Sequence, residues 1–580
     1  MAIVSIKDLK KAIPLLHFPG GDFLANLLYR IMKLEKINNW YDQMESMPGP
    51  EFIEKTIEVL GFQYDVKAEE YQNIPGKGPF IMISNHPYGG IDGIILLKIL
   101  PSIRPDFKIL MNFMLARIKP IETFGFTVNP FEKIPSVFSS YAGLREAMGY
   151  LKNGHPIGLF PAGEVASFQV KSGKVTDKQW PHSIIKMILK ARVPVIPVYF
   201  GGHNSAWFYL LGMIHPALRT ACLPSELFNK SGKTIKVRIG RPVSVREQEK
   251  FRDIKEFRRY LRMRIFSLGI QGEKQGKEKF FRYKKPMPVI SPVSTETIAD
   301  EIEKLKQDSL LFSMNNHYVF CSPSVKIPGI LKELGRLREI TYREVGEGTN
   351  KSIDLDAFDL YYRQLFIWNA DEKKIIGGYR VGFGNEIMES NGIKGFYIST
   401  LFHIRDEITP LFSLSMELGR SFIIRSFQKK PLSLFLLWKG ILQLLIRHPE
   451  FQYMIGPVSI SNSFSELSKG LTVTFLKKNY FNKDFAELFV PRKHFIPRIN
   501  PVIRKRLFHK ITGNNLNNLD HFIQSFDPGF RVPVLIKKYL SVNAEVVGFN
   551  VDPKFNNCLD VLLITNINDI PKDTIKSLLK

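Results

Sequence analysis

A histidine and an aspartate stand close together directly after an apolar run near residue 80. The stretch NHPYGGID places His86 and Asp92 on either side of a loop that contains Gly89 and Gly90. Glycine permits a tight backbone path, so this loop can fold the carboxylate back against the imidazole. An aspartate bonded to one ring nitrogen leaves the other as a general base, which can take the proton from a hydroxyl that attacks a thioester. The alternative is a helix-capping aspartate beside a core histidine.

Two further stretches follow in an informative order. GLFPAGEVAS ends a second apolar run in a Gly-Glu turn, and RVPVIPVYFGG contains a third run. Together the three stretches resemble the glycerolipid acyltransferases, which transfer acyl groups from acyl carrier protein or coenzyme A to a lipid hydroxyl. The resemblance covers roughly residues 75–270 and implies that His86 and Asp92 are the catalytic pair. It also implies a phosphate- or headgroup-binding block made of Phe160, Pro161, Gly163 and Glu164.

This half departs from the family pattern in two places. Five residues separate His86 from Asp92 where the family has four, and the extra glycine can loop out. The Gly-Glu block reads Ala-Gly-Glu and lacks the arginine that usually follows Glu-Gly. The missing arginine favours an acceptor without a phosphate group.

The second half carries another ordered set of motifs. IIGGYRVGFG, GFYISTLF and SMELGRSFI resemble the acyl-homoserine-lactone synthase branch of the GNAT superfamily, and more closely the lyso-ornithine-lipid N-acyltransferases. The stretches IDLDAFDLYY and PVSISNSFS belong to the same resemblance. It implies that Glu417 is catalytic and that substrate is bound by Arg380, Thr400, Arg420 and Ser421.

The chemistry of these residues suits amide formation. An amine nucleophile must lose a proton, and Glu417 could accept it directly or through water. We interpret ELGRS as a strand-to-helix crossing, which places Arg420 near a helix start, where it could hold the phosphate of a phosphopantetheine arm. The alternative is that Glu417 and Arg420 form a surface ion pair.

Both halves on one chain resemble the bifunctional ornithine-lipid type synthases and a related group labelled hemolysins. The resemblance implies N-acylation of an amino acid with a 3-hydroxyacyl group, then O-acylation of that hydroxyl. The donor is expected to be acyl-acyl carrier protein or acyl-coenzyme A, with no bound cofactor and no metal. The amino acid is left open among ornithine, glycine, serine and lysine. A single glycerolipid acyltransferase with a non-catalytic second domain is the alternative.

The strands and helices that the sequence predicts around these residues indicate a two-domain α/β protein. Residues 1–285 read as an O-acyltransferase domain whose first 75 residues are helical and whose later part alternates strands and helices. The proline-rich residues 286–300 predict a linker. Residues 301–580 read as a GNAT-like domain with a C-terminal extension, in which GFYISTLF and VPVLIKKYL are interpreted as strands.

The charge balance predicts a polyanionic partner. The net charge is +26 and the isoelectric point is about 9.7. Residues 230–285 contain 19 Lys or Arg and 6 Asp or Glu. Acyl carrier protein and an anionic membrane surface are the expected partners, besides the amino acid and the lyso-aminolipid. Nucleic acid is the rival partner, but no helix-turn-helix or zinc spacing occurs, so no nucleic acid is expected.

The location is expected to be cytoplasmic, peripheral on the inner face of the cell membrane. The N-terminus lacks the pattern of a signal peptide, and three scattered cysteines suit a reducing compartment. The most apolar segment, Pro431 to Pro449, carries Lys439 and Arg447, which favours a buried or amphipathic helix over a span. Aromatic and basic residues alternate in FFRYKKP, as in interfacial segments. A membrane-perturbing protein is the third functional class, after an acyltransferase and a nucleic-acid-binding protein.

Overall fold

The computed structural model describes residues 6, 10, 20–112, 115, 117–128, 140–169, 173–214, 216–270, 286–497, 508, 512–525, 527 and 529–579. Within this part of the chain lie two compact units. The first ends at Ile270 and the second begins at Pro286. The FFRYKKP segment named above lies outside the described residues, apart from Pro286.

A seven-stranded sheet forms the centre of the first unit, with the strand order β1-β9-β8-β2-β5-β3-β4. All neighbours in it are parallel except β8 and β9. A short hairpin, β6 and β7, lies beside it. The strands are β1 Gln63–Asp65, β2 Ile81–Ser84, β3 Lys108–Asn112, β4 Gly125–Val128, β5 Ile157–Leu159, β6 Ser167–Gln169, β7 Lys174–Thr176, β8 Val195–Phe200 and β9 Thr234–Ile239.

Helices connect these strands, as strands in parallel sheets require. Strand β2 is buried along its whole length, which explains its continuous apolar run. The helices are α1 Gly21–Ile31, α2 Leu34–Asp42, α3 Gly49–Leu60, α4 Gly90–Ile99, α5 Ser140–Lys152, α6 His182–Ala191, α7 Ala206–Ile214, α8 Pro216–Ala221, α9 Leu223–Phe228, α10 Val245–Gln248 and α11 Ile254–Ile270. Two 3₁₀ helices, Ala68–Asn73 and Lys119–Phe124, complete the unit.

One prediction of secondary structure in this unit was wrong in detail. Strand β1 lies within the first 75 residues, because it pairs with β9 some 170 residues later in the chain, a contact that no local pattern shows. The chain after Ser244 forms two helices, α10 and α11. Ser244 caps α10, with its side chain accepting from the N–H of Glu247.

An eight-stranded sheet forms the centre of the second unit, with the order β10-β11-β12-β13-β15-β16-β19-β18. Only β15 and β16 are parallel neighbours in it. Strands β14 and β17 form a separate pair. The strands are β10 Leu310–Met314, β11 His317–Pro323, β12 Arg363–Asn369, β13 Lys374–Phe383, β14 Phe402–Ile404, β15 Ser415–Ile423, β16 Tyr453–Ile460, β17 Phe489–Pro491, β18 Glu545–Asp552 and β19 Cys558–Asn566.

Helices and 3₁₀ turns cover both faces of this sheet, and two apolar clusters pack against it. The helices are α12 Thr295–Leu305, α13 Pro328–Glu344, α14 Gly384–Asn391, α15 Thr409–Ser413, α16 Pro431–Arg447, α17 Glu466–Asn479, α18 Lys483–Ala486, α19 Leu516–Gln524, α20 Val534–Ser541 and α21 Lys572–Leu579. The 3₁₀ helices are Ser324–Lys326, Ala357–Leu360, Gly392–Gly395, Tyr397–Thr400, Asp406–Ile408, Arg425–Phe427, Pro553–Phe555 and Ile567–Asp569.

Three segments of this unit differ from their predicted form. GFYISTLF forms 3₁₀ turns rather than a strand, because the N–H groups of Tyr397 and Ile398 are bound by a buried carboxylate. ELGRS lies inside β15, so no helix begins there. VPVLIKKYL forms α20, which begins directly after Pro533.

The residues predicted as a linker, 286–300, are ordered against the second unit. The N–H of Met287 donates to Asn350 and that of Ile290 donates to Ser352. Helix α12 begins inside the segment because the Ser294 side chain accepts from the N–H of Thr297.

The apolar helix α16 is buried against the sheet, as the buried-helix interpretation predicts. Across the described ranges, no helix combines the length and the apolar character needed to cross a bilayer.

Candidate functional sites

Three adjacent strands bring the first set of motifs to one edge of the parallel sheet. Strand β2 lies between β5 and β8, and all three run in the same direction. Their carboxyl ends therefore meet where His86, Phe160 and Gly201 begin the following loops. The crevice outside the carboxyl ends of parallel strands is where ligands bind in open α/β sheets.

The predicted contact between His86 and Asp92 is present. The Nδ1 atom of His86 lies 2.9 Å from Oδ2 of Asp92. The same oxygen accepts from the N–H groups of Tyr88 and Gly89, at 2.9 and 3.1 Å. Gly89 has a φ of 85°, so the loop with its extra residue turns sharply and still delivers the carboxylate to the ring.

The electrostatics of the pair suit a positioned base. Burial raises the pKa of Asp92, while the bonds from His86, Tyr88 and Gly89 favour its ionised form. No described residue forms a hydrogen bond with Nε2 of His86, which leaves this nitrogen available to a substrate hydroxyl.

The Gly-Glu block wraps around the histidine. The Phe160 ring stacks on the His86 ring at 3.9 Å between centroids, and the N–H of Ala166 donates to the His86 carbonyl. Pro161 and Gly163 form the intervening turn, in which Gly163 has a φ of 69° and open space around it. The Glu164 carboxylate forms ion pairs with two cations, Lys178 and Arg219.

The third motif supports the first through hydrogen bonds. The side chain of Asn85 donates to and accepts from the backbone of Phe200, at 2.8 and 2.7 Å. The Tyr88 hydroxyl donates to the carbonyl of Gly201 at 2.9 Å. A Cβ on Gly202 would lie 1.8 Å from that hydroxyl, so this position requires glycine.

Residues without a recognisable motif also build this site. Asp177 is buried and accepts from the N–H of His86 and from the Trp180 indole, both at 3.3 Å. Arg219 reaches Glu164 from α8, with its Nη2 2.5 Å from Oε2, and the Lys178 ammonium lies 2.7 Å from Oε1. No sequence motif marks these three residues, because long-range folding brings them together.

In the second unit, the two parallel strands pair over only a short stretch. Strands β15 and β16 are in register only from Ser415 to Glu417, although both continue further. Beyond that point Gly456 lies so close to the Leu418 carbonyl that a Cβ would be 2.1 Å from it. Pro457 follows and has no N–H to extend the ladder. The paired ladder therefore ends early, and backbone groups of the strand that continues beyond it are the kind that bind an extended ligand such as a pantetheine arm.

Glu417 is the last residue of β15 that pairs with β16, and it is buried. Its carboxylate accepts from the Tyr362 hydroxyl and from the N–H groups of Tyr397 and Ile398, at 3.0 and 2.9 Å for the two amides. Burial raises its pKa, although these donors act in the opposite direction. Three of its four acceptor positions are therefore filled, and Oε1 retains one.

Arg420 occupies a β-bulge and not a helix start. Two residues of β15, Arg420 and Ser421, lie opposite the single residue Tyr379 of β13, and Arg420 has a φ of 51°. A non-glycine residue in this region is strained, and such strain clusters at functional sites. The bulge lets the guanidinium pair with Asp354 and Asp356, at 3.1 and 3.0 Å.

A buried network of arginines and aspartates adjoins Glu417. Arg380 donates to Asp356 and Asp359 at 2.6 and 3.1 Å, and Arg338 pairs with Asp359 at 2.8 Å. Burial opposes ionisation of Asp359, but the two arginines outweigh it, so its pKa lies below its usual value. Thr400 lies apart from this network, and its hydroxyl donates to the Tyr397 carbonyl.

Three further buried carboxylates were missed by the sequence analysis. The side chains of Glu347, Asp552 and Asp560 lie near one another, and no Lys or Arg of the described chain forms an ion pair with them. Burial raises the pKa of Asp560, and the neighbouring carboxylates add to the effect.

Comparisons with known proteins match both halves. Residues 9–271 match an acyltransferase family and residues 337–439 match the acetyltransferase (GNAT) domain. A glycine N(alpha)-acyltransferase from Bacteroides thetaiotaomicron is 28% identical over 299 residues, which are 49% of this chain and 87% of that protein. A lyso-glycine lipid O-acyltransferase from the same organism is 28% identical over 253 residues, which are 42% of this chain and 90% of that protein.

Among solved structures, the 1-acyl-sn-glycerophosphate acyltransferase PlsC from Thermotoga maritima covers 42% of this chain and 86% of that chain, at 19% identity and a TM-score of 0.25. The two family matches confirm the predicted order of an acyltransferase domain followed by a GNAT domain. The roles of the individual site residues stay predictions.

Proposed function

We propose that this acyltransferase makes a phosphate-free aminolipid in two acyl transfers, with glycine as the amino acid. The GNAT domain joins a 3-hydroxyacyl group to the amine, and the first domain then esterifies the new hydroxyl. The observation that carries the proposal is that relatives named for N-acylation of glycine and for O-acylation of lyso-glycine lipid both match this one chain.

The geometry around His86 supports the second transfer. Its Nε2 takes the proton from the 3-hydroxyl group while the hydroxyl oxygen attacks the donor's thioester carbonyl. Asp92 stabilises the imidazolium that forms. The carbon–sulfur bond then breaks, and the imidazolium returns its proton to the leaving thiolate. An ester and a free thiol result.

The early end of the ladder between β15 and β16 supports the first transfer. The donor's extended arm binds between the strand edges and brings its thioester close to Glu417. The glycine amine attacks the carbonyl, the carbon–sulfur bond breaks, the sulfur leaves as a thiolate, and the amine gives up one proton. Glu417 receives that proton through a water bound at the free acceptor position of Oε1.

The donor in this proposal is acyl-acyl carrier protein. That protein is acidic, and the net charge of +26 favours a polyanionic partner. A direct comparison of acyl-acyl carrier protein with acyl-coenzyme A as donors tests this part separately.

Two exposed apolar stripes support binding to the inner face of the cell membrane. Both belong to the first unit, and their helices α1 and α7 pack beside residues 218–223. Three residues of each helix have exposed fractions between 43% and 77%: Phe23, Leu27 and Ile31 on α1, and Trp207, Leu210 and Met213 on α7. Apolar residues at helical spacing can enter the boundary between headgroups and acyl chains.

Mass spectrometry of lipids from a host that expresses the chain tests the proposal. The wild type should add N-acyl glycine lipids with one and with two acyl chains. His86→Ala should accumulate the single-chain form, because loss of a general base slows transfer on the order of 10²–10⁴-fold. Glu417→Gln should reduce both forms.

Matched controls exist for both variants. His155 also pairs with an aspartate, Asp106, at 2.8 Å, but it precedes β5 and lies at the opposite edge of the sheet. Glu386 is an exposed carboxylate paired with Arg363. His155→Ala and Glu386→Gln should give the wild-type lipids. Normal two-chain lipid from His86→Ala would exclude the assigned base.

A further inference from the structure

We propose that Arg219 and Lys178 bind the free carboxylate of the lipid acceptor and so select an N-acyl amino acid over a neutral or phosphorylated lipid. This inference rests on the proposed function, because it assigns the acceptor of the O-acylation step. Arg219 and Lys178 lie outside the sequence motifs. They supply the positive charge that the family's arginine would provide and that the Gly-Glu block of this chain lacks.

Contacts link these cations to the loop that packs against the base. Glu164, which both cations contact, belongs to the loop that starts at Phe160 and reaches Ala166. The first residue of that loop stacks on His86, and the last donates to the His86 carbonyl.

The segment from α8 to Leu223, which includes Arg219, also packs against the loop between His86 and Asp92. A Cβ on Gly89 would contact the side chains of Leu223 and Val165, at 3.0 and 3.2 Å. Burial raises the pKa of Tyr209 to about 12, with Asp92 adding to the rise and Arg219 opposing it. Tyr209 therefore lies within electrostatic range of both the catalytic pair and Arg219.

The local charge balance leaves room for an anion. Lys178 and Arg219 bring two positive charges, and Glu164 brings one negative charge. Arg219 uses one nitrogen, Nη2, for Glu164, and no other described residue accepts from its guanidinium. The Arg219 side chain is only 7% exposed, so the residues around it hold it in place. The ion pair with Glu164 fixes the orientation of its guanidinium.

A carboxylate suits this arrangement better than a phosphate monoester. The guanidinium presents a planar fork that binds the two oxygens of a carboxylate, and the Lys178 ammonium adds a mobile point charge. The net charge of about +1 balances one carboxylate, whereas a phosphate monoester carries about −1.5 to −2. An N-acyl glycine acceptor presents one such carboxylate, and it lies on the same molecule as the reacting hydroxyl.

The experiment compares two acceptors that differ only in charge. Purified full-length protein is given N-(3-hydroxyacyl)glycine or the corresponding neutral glycinamide, with the acyl donor that the wild type uses. Arg219→Gln should lower kcat/KM for the carboxylate acceptor on the order of 10- to 100-fold, as expected for loss of a charge-assisted bond. Its kcat/KM for the glycinamide should stay within about 3-fold of the wild type.

Two more variants keep the result decisive. Lys178→Met changes a half-exposed side chain and should lower the preference for the carboxylate by a smaller factor. Arg219→Lys should restore part of it. The control is Arg192→Gln, which breaks another Arg–Glu pair of the same domain, with Glu249, at an exposed site. It should leave both acceptors unchanged.

An equal loss with both acceptors would assign Arg219 a purely structural role and overturn the inference. If Arg219→Gln does not fold, the acceptor preference of Lys178→Met and Arg219→Lys decides, and an unchanged preference in both rejects it. A wild type that esterifies neither acceptor would refute the proposed function itself. A wild type that esterifies both equally, with all variants alike, would refute only the carboxylate site.

Discussion

At the scale of single residues, more of the first site's chemistry than of the second site's could be predicted from the sequence. His86 and Asp92 are neighbours along the chain, so a short loop and two glycines suffice to predict their contact. Glu417 and Arg420 are also close in sequence, but their partners come from three other segments. A surface ion pair between them was the alternative, and the structure instead buries both among other partners.

The position of Arg420 shows why such details resist prediction. Its positive φ follows from a bulge in the pairing of β13 with β15, and bulges depend on register between strands. From this bulge, Arg420 reaches Asp354 and Asp356 together. The sequence showed the residue types, while tertiary contacts set the backbone.

One prediction at this scale concerns Asp560 in the second unit. Burial raises its pKa, so the folded protein keeps a proton that the unfolded chain has lost. The folded state then binds more protons, and the free energy of unfolding falls as pH rises from about 4 towards the raised value. Asp560→Asn, an isostere of the neutral acid, should remove this loss.

Urea unfolding of the whole protein at several pH values checks this expectation. The stability gained by Asp560→Asn should grow with pH by up to about 1.4 kcal/mol per unit. The exposed Asp371→Asn serves as the control and should show no such growth. A stability difference that is the same at pH 5 and pH 8 would contradict a proton held by Asp560.

At the scale of elements, the alternation of strands and helices predicted the first unit well, because buried parallel strands read as continuous apolar runs. The second unit was harder. VPVLIKKYL was interpreted as a strand from its β-branched residues, yet its buried positions Ile536, Tyr539 and Leu540 follow helical spacing. That spacing was visible in the sequence. The turns of GFYISTLF were not, since they depend on Glu417.

A glycine at the end of β8 tests how the elements hold the first site. Gly202→Ala would place a Cβ 1.8 Å from the Tyr88 hydroxyl and would displace the loop that orients Asp92. O-acylation should fall at least about 10-fold, since a misplacement of this size has large effects on rate. N-acylation should stay close to the wild-type level.

Gly154→Ala is the matched control for this variant. Gly154 also has a positive φ, 93°, but open space surrounds it, so alanine costs only about 1–2 kcal/mol of backbone strain. Measuring O-acylation and N-acylation by both variants distinguishes the effect of the clash with Tyr88 from the effect of backbone strain. Equal loss of O-acylation in the two would show that the contact with Tyr88 is unimportant.

At the scale of the whole molecule, we expect the two transfers to separate. The described chain divides between Ile270 and Pro286, and residues 287–294 already bond to the second unit. A fragment of residues 286–580 should therefore keep these bonds and N-acylate glycine without esterifying the product. Co-expression with residues 1–285 should restore the two-chain lipid. Insoluble or inactive fragments beside an active full chain would show that the domains depend on each other.

The structure also changes which segments we expect to meet the membrane. The helix around Trp438 was a candidate for insertion, but it is buried against the sheet of the second unit. The stripes on α1 and α7 are exposed and flank the segment that carries Arg219. A lipid acceptor entering from the bilayer would therefore find the proposed carboxylate site and His86 close to its headgroup.

Binding to vesicles that contain phosphatidylglycerol tests this assignment. Salt screens the attraction of basic residues because the Debye length falls to about 3 Å at 1 M, so high salt should release only part of the protein. Apolar insertion resists salt, and each fully buried side chain contributes about 1.5–3 kcal/mol. Replacing Phe23 and Trp207 with serine should therefore make binding fully salt-sensitive. Serine at Leu360 and Ile446, exposed apolar residues of the second unit, should change nothing. Retention through both high salt and alkaline carbonate, unaffected by the stripe variants, would require a deeper insertion by another segment.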